Sequence, residues 1–209
     1  AQERAGRDAV RTPRLHGAAP ELNTLPRSVC LSDAEVSACR LIAAKVENLK
    51  AVLQANDFRE PINAHEWLAH LTAIKESLGN VGNSMSYLAT LLVKEFLQSE
   101  YGVTDFDAAA KPQGAAGADV IARAVDGRSI IGELKTTKPF QPGFGAAQRA
   151  SMLKDLARLS SSQADVRLMF VTDPDAYDAL KNRKTFASAA PGVLLVDLVS
   201  PRRCTLGMA

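Results

Sequence analysis

Two carboxylates and one ammonium are spaced so that they could share a site. Asp119 lies in Gly117-Ala118-Asp119-Val120, and Glu133 and Lys135 lie in Ile130-Ile131-Gly132-Glu133-Leu134-Lys135. If these stretches are neighbouring strands, the three groups converge on one point of a sheet. Carboxylate oxygens suit a hard divalent cation, and an ammonium beside them stabilises developing negative charge, which is the equipment for hydrolysing a phosphodiester. Glu133 sits among apolar residues that should be interior, where a charge is costly unless a cation or partner compensates it. An acidic-x-Lys triplet alone is a weak signal, and the competing reading is an edge strand with a solvated Glu–Lys pair.

The turn between the two strands decides whether the carboxylates meet. Asp126-Gly127 is a hairpin signal. A two-residue Asp-Gly turn would set Asp119 opposite Leu134, on the face away from Glu133. A three-residue loop, Val125-Asp126-Gly127 with Gly127 left-handed, sets Asp119 opposite Glu133. Glu133 and Lys135, two apart, share a face in either case. The site therefore requires an odd-length turn or a bulge.

The surrounding elements must place these strands. Residues 1–30 mix Arg, Pro, Gly and Ala without periodicity and read as an irregular basic arm, with Arg4, Arg7, Arg11 and Arg14 available to order on DNA, or as a plain solvated tail. Residues 31–80 read as a helical region. Ser32 and Glu35 form a capping box ahead of the stripe Ala34, Leu41, Ile42, Val46, Leu49 and Leu53. A second helix over 63–78 carries Trp67, Leu68, Leu71, Ile74 and Leu78, with Trp67 expected in the core. These two helices could form a dimer interface, recognise a target, or cover the sheet. From Ser84 a third helix runs to about Ser99. Strands are then expected at 102–108, 118–125 and 129–136, a helix at 145–159, a strand from Val166 to Thr172, a helix from Pro174, and a strand from Val193 to Val199. That order indicates an α/β or α+β protein with helices on the faces of its sheet.

Bulk properties are permissive. The 209 residues suffice for one full domain, 46% hydrophobic and 23% charged residues are ordinary for a globular chain, and a net charge of +2 neither requires nor excludes a nucleic-acid partner. Three cysteines without a Cys-x-x-Cys pair lead us to expect a reducing, intracellular (cytoplasmic) setting. The polar, arginine-rich start leads us to expect no secretory signal, and no apolar run reaches membrane-spanning length.

Gly117-Ala118-Asp119 followed by Gly132-Glu133-Leu134-Lys135-Thr136-Thr137 resembles the PD-(D/E)XK nuclease superfamily and, within it, the type II restriction endonucleases; Ala118 replaces the proline of the name. The resemblance covers about residues 84–173 and does not extend to the first eighty. It implies an αβββαβ core with a central mixed sheet, extended here as a core domain over 84–209. It implies Asp119, Glu133 and the Leu134 backbone carbonyl as ligands of Mg²⁺, with Mn²⁺ as a possible substitute. Lys135 would orient or deprotonate the attacking water, or stabilise the pentavalent phosphate. An acidic residue on the helix before the first strand completes many such sites; Glu95 is the better match and Glu100 the weaker. The implied activity is metal-dependent cleavage of double-stranded DNA at a specific sequence by a homodimer. The competing readings are a repair, recombination or junction-resolving nuclease on the same core, and a non-catalytic DNA-binding subunit or interaction protein.

Beyond the triad, Lys138 in the loop after the strand, and Gln148, Arg149, Lys154 and Arg158 on the next helix, could reach a DNA backbone, although a solvated helix face is the simpler account of each of the helical ones. His65 and His70 mimic a zinc-protease pair. Five residues apart, they point about 140° apart around a helix and cannot share one ion.

Overall fold

Local signals set the helices. The computed structural model describes residues 29–55, 63–111, 115–137 and 146–207. Ser32 opens α1 (Asp33–Ala55): its Oγ accepts from the Glu35 N–H at 3.2 Å, and Glu35 Oε2 accepts from the Ser32 N–H at 2.8 Å, completing the capping box. Asn63 caps α2 (Ala64–Leu78) through the Glu66 N–H. Asn80, rather than Ser84, caps α3 (Val81–Tyr101) through the Asn83 N–H, so α2 and α3 are separated by a short break at Gly79 and Asn80.

The sheet follows. Strand β1 (Val120–Arg123) pairs antiparallel with β2 (Ser129–Lys135), and β2 pairs in parallel with β3 (Val166–Val171) across the helix α4 (Ala146–Ser161). After α5 (Pro174–Asn182) and the short α6 (Lys184–Ala187), β4 (Leu194–Asp197) adds in parallel to β3, and β5 (Arg203–Thr205) closes the edge antiparallel to β4. The result is a five-stranded mixed sheet in the order β1-β2-β3-β4-β5, flanked by helices. Strand β5 had no counterpart in the sequence reading.

Both faces of the central strands are covered, as parallel pairing requires. One face packs Val120, Ile130, Leu168, Phe170 and Val196 against Val93 and Leu97 of α3. The other packs Met169, Val171 and Leu195 against Met152, Leu156 and Leu159 of α4 and Tyr177 and Leu180 of α5. Gly132 allows close approach on the first face: a Cβ there would stand 3.1 Å from both Phe170 Cε2 and Val120 Cβ.

Three expectations are corrected. Residues 102–108 form no strand. Gly102 ends α3 in the left-handed region (φ 64°), and the chain then buries Val103 and Ala108 while its backbone is satisfied outside any ladder, Val103 N–H donating to Leu97 O and Ala108 N–H to Glu35 Oε1. Trp67 is 48% exposed rather than core, and α2 has no buried residue. The α1 stripe is likewise open at Leu41, Val46 and Leu53. The physical reason is that α1 and α2 pack on each other as a hairpin and leave the sheet to α3, α4 and α5.

The hairpin is tied to the rest through Glu35, the one buried residue of α1. Its carboxylate accepts from Lys94 Nζ of α3 at 2.5 Å and from the Ala108 N–H at 2.7 Å. Burial alone would raise the Glu35 carboxyl, but Lys94 and the Ser32 and Ala108 amides outweigh it and hold the group below the usual glutamate range. Among the described residues no helix is long and apolar enough to cross a membrane.

Candidate active site

The β1–β2 hairpin supplies the register on which the site depends. Gly127 N–H donates to Ala124 O at 2.9 Å and Ala124 N–H to Arg128 O at 2.8 Å, enclosing the three-residue loop Val125-Asp126-Gly127 with Gly127 at φ 90°. Val120 pairs with Gly132. One step further along that register, Asp119 falls opposite Glu133, where the two-residue alternative would have put Leu134.

Asp119 stands just before β1. It is exposed, and its Oδ2 accepts from the Leu134 N–H at 3.0 Å, capping β2 where β1 no longer runs beside it. In an extended strand the Leu134 carbonyl points to the same edge as its N–H. The Lys135 carbonyl accepts from Thr172 N–H on the other side, which agrees with that alternation. Lys111 Nζ lies 4.0 Å from Asp119 Oδ1 and donates to Ala118 O at 2.6 Å, steadying the segment that carries Asp119. A cavity of about 200 Å³ opens beside Asp119 and Leu134, with Ser86, Tyr87, Thr90 and Thr136 on its wall.

Glu133 is 2% exposed. Burial is the main cause that pushes its carboxyl up to about 7, and the nearby charges of Asp119 and Asp155 push the same way; Arg158 opposes them. Lys135 shares Glu133's face and is held by α4, its Nζ 2.6 Å from Asp155 Oδ2. Arg158, one turn further along α4, places Nη1 2.5 Å from Glu133 Oε1 and 3.2 Å from Gly117 O, with Nη2 3.6 Å from Asp155 Oδ1. The site thus has Glu133 and Asp155 paired with Arg158 and Lys135 beneath α4, with the exposed Asp119 beside them at the β1–β2 edge, its carboxylate on the cavity walled by α3.

Asp155 escaped the sequence reading, and Arg158 entered it only as a groove contact. A signal for Asp155 was present. It falls within the stripe Met152, Leu156 and Leu159 that α4 turns to the sheet, and it is the buried acidic member of that stripe.

The other anticipated residues are distributed differently. Glu95 does not join Asp119 and Glu133. It shares its side of α3 with Leu92, Phe96 and Ser99, and the four line a separate cavity of about 690 Å³ that also includes Asp197; burial raises its carboxyl above the usual range. Glu100 is taken by Arg203, 2.7 Å away. Gln148, Arg149 and Lys154 are exposed on α4. Of the three, Gln148 lies two turns from Asp155 on the same stripe. Lys138 and the arginines of the N-terminal arm lie outside the described residues. Among the described residues, no group of three or more His, Cys, Asp or Glu side chains gathers at metal-binding distance.

No family model matches the chain, and no curated protein or solved structure matches it either.

Proposed function

We propose that the chain is a Mg²⁺-dependent endonuclease that hydrolyses phosphodiester bonds of double-stranded DNA, of the restriction type and acting as a dimer. The observation that carries this reading is the hairpin register, which sets Asp119 opposite a buried Glu133 with Lys135 on the same face. The donor set suits the ion. Two carboxylates, with the Leu134 carbonyl directed to the same edge, are hard oxygen donors, and Mg²⁺ characteristically takes one or two carboxylates and keeps water in its remaining positions. A bound Mg²⁺ would supply polarisation of the phosphoryl oxygen and a more acidic water.

The chain's own residues do the rest. Asp119 and Glu133 fix where the ion sits. Lys135, held as an ammonium by Asp155, would stand beside the reacting phosphate, where it would stabilise added negative charge and orient the attacking water. The α4 roof limits water at Glu133, which strengthens every charge interaction there.

Incubating the protein with supercoiled plasmid and Mg²⁺ tests the reading. Cleavage is expected, and it should be lost in Asp119→Ala and Lys135→Ala while DNA binding persists; wild-type cleavage by Asp119→Ala refutes the assignment. Discrete fragment ends support the restriction type, whereas preference for branched or single-stranded DNA supports a repair or junction-resolving nuclease.

A second reading, a non-catalytic DNA-binding or interaction protein, is favoured by one specific observation. Arg158 and Asp155 already neutralise Glu133 and Lys135 within the fold. Metal-independent DNA binding without any cleavage would support it.

A further inference from the structure

Arg158 reaches from α4 to both chain segments that carry the carboxylates. It donates to Glu133 Oε1 at 2.5 Å and to the carbonyl of Gly117, two residues before Asp119, at 3.2 Å. The guanidinium therefore sets one positive charge on Glu133, near enough to Asp119 to feel its charge. The partners differ in how firmly they are held: the Glu133 side chain is 2% exposed, whereas that of Arg158 is 34% exposed. Arg158 can leave by rotating its own long stem into solvent, with no repacking of Met152, Leu156 or Leu159. Lys135 does not need Arg158 to leave with it, because its partner is the other member of the α4 pair, Asp155.

We propose that Arg158 holds the place of the divalent cation at Glu133, is displaced when the ion binds, and then turns its guanidinium to a substrate phosphate. The proposal rests on the metal-site reading above. A doubly charged hard ion outcompetes a single delocalised charge for carboxylate oxygens, and a freed guanidinium presents two parallel donors that match a phosphate. Arg158 is thereby a positioning residue for the ion-free site and a phosphate-binding residue in the loaded one.

The test is calorimetric titration with Ca²⁺ alone, at about pH 8 so that carboxylates are ionised, on the full chain as wild type, Arg158→Ala, Arg158→Lys and Glu133→Gln. Loss of one charged hydrogen bond that competes with the ion should tighten Ca²⁺ binding about tenfold in Arg158→Ala. Arg158→Lys should lie between wild type and Arg158→Ala, and Glu133→Gln should lose binding. With Ca²⁺ present, Arg158→Ala should bind a short DNA duplex more weakly than wild type. Arg158→Gln, which keeps an uncharged polar side chain with part of the arginine stem, replaces Arg158→Ala if circular dichroism shows the latter unfolded. Unchanged or weaker Ca²⁺ binding in a folded variant, with Glu133→Gln still abolishing it, overturns the placeholder and leaves the metal site standing. Ca²⁺ binding by neither wild type nor Arg158→Ala overturns both. Unchanged duplex binding by Arg158→Ala overturns the phosphate contact.

Discussion

Glu133→Gln gives the sharpest physical test of the buried carboxylate. Burial and the neighbouring Asp119 and Asp155 raise Glu133 from an ordinary value of 4.5 to about 7. Between those values the folded chain binds a proton that the unfolded chain has released. Stability from this group is therefore complete below about pH 4.5, falls as pH rises, and is fully lost once pH passes about 7. At about 1.4 kcal/mol per pH unit, the loss is at most about 3–4 kcal/mol. Glutamine keeps the shape of the protonated acid and has no proton to lose. Urea unfolding in EDTA should find Glu133→Gln close to wild type near pH 5 and roughly 2–3 kcal/mol more stable than it near pH 8. Comparing the two proteins at each pH cancels the titration of the groups that do not interact with Glu133. A stability difference that does not change between the two pH values refutes the argument that Glu133 is the group carrying this proton. Saturating Mg²⁺ should then restore stability to wild type near pH 8 and not to Glu133→Gln, because only the carboxylate binds the ion.

Other substitutions test the frame around the site. Lys94→Met leaves the Glu35 carboxylate buried without its ammonium and should cost about 3–5 kcal/mol in denaturant unfolding. Gly132→Ala drives a Cβ to 3.1 Å from Phe170 and Val120; it should cost about 1–3 kcal/mol by the same measurement. Gly127→Ala forces a side chain into φ 90° and should cost about 1–2 kcal/mol, with no atom in contact to blame because the space around it is open.

Features determined by neighbours in the chain were legible in the sequence. The Ser32–Glu35 capping box, the strand expected over 129–136 and found at Ser129–Lys135, and the three-residue turn before it all rest on residues within a few positions of one another. The failures rest on distant partners. Val103 and Phe106 give residues 102–108 a strand-like composition, yet Ala108 spends its N–H on Glu35, and no strand lies alongside. The apolar spacing of α1 and α2 is real, but periodicity states only that a helix has an apolar side, and not how much of it another element covers. Trp67 shows the gap. Glu95 fits helical spacing as a ligand, while the end of the sheet against which α3 packs puts it in another cavity. Conversely, Asp155 and Arg158 complete the charge cluster from a helix whose acidic and basic residues looked like a solvated face. Only the position of Asp155 inside an apolar stripe hinted otherwise.

The Glu35 hub also bears on the order in which the chain assembles. It joins residues 59 and 73 positions apart. Closing such long loops costs entropy that is recovered only once the segments on both sides are already in place. These bonds should therefore be absent from the folding transition state, so that they slow escape from the native state far more than they speed arrival at it. Lys94 and Glu35 then act as a clasp fastened last, and it is the lifetime of the folded molecule, more than its rate of formation, that depends on them.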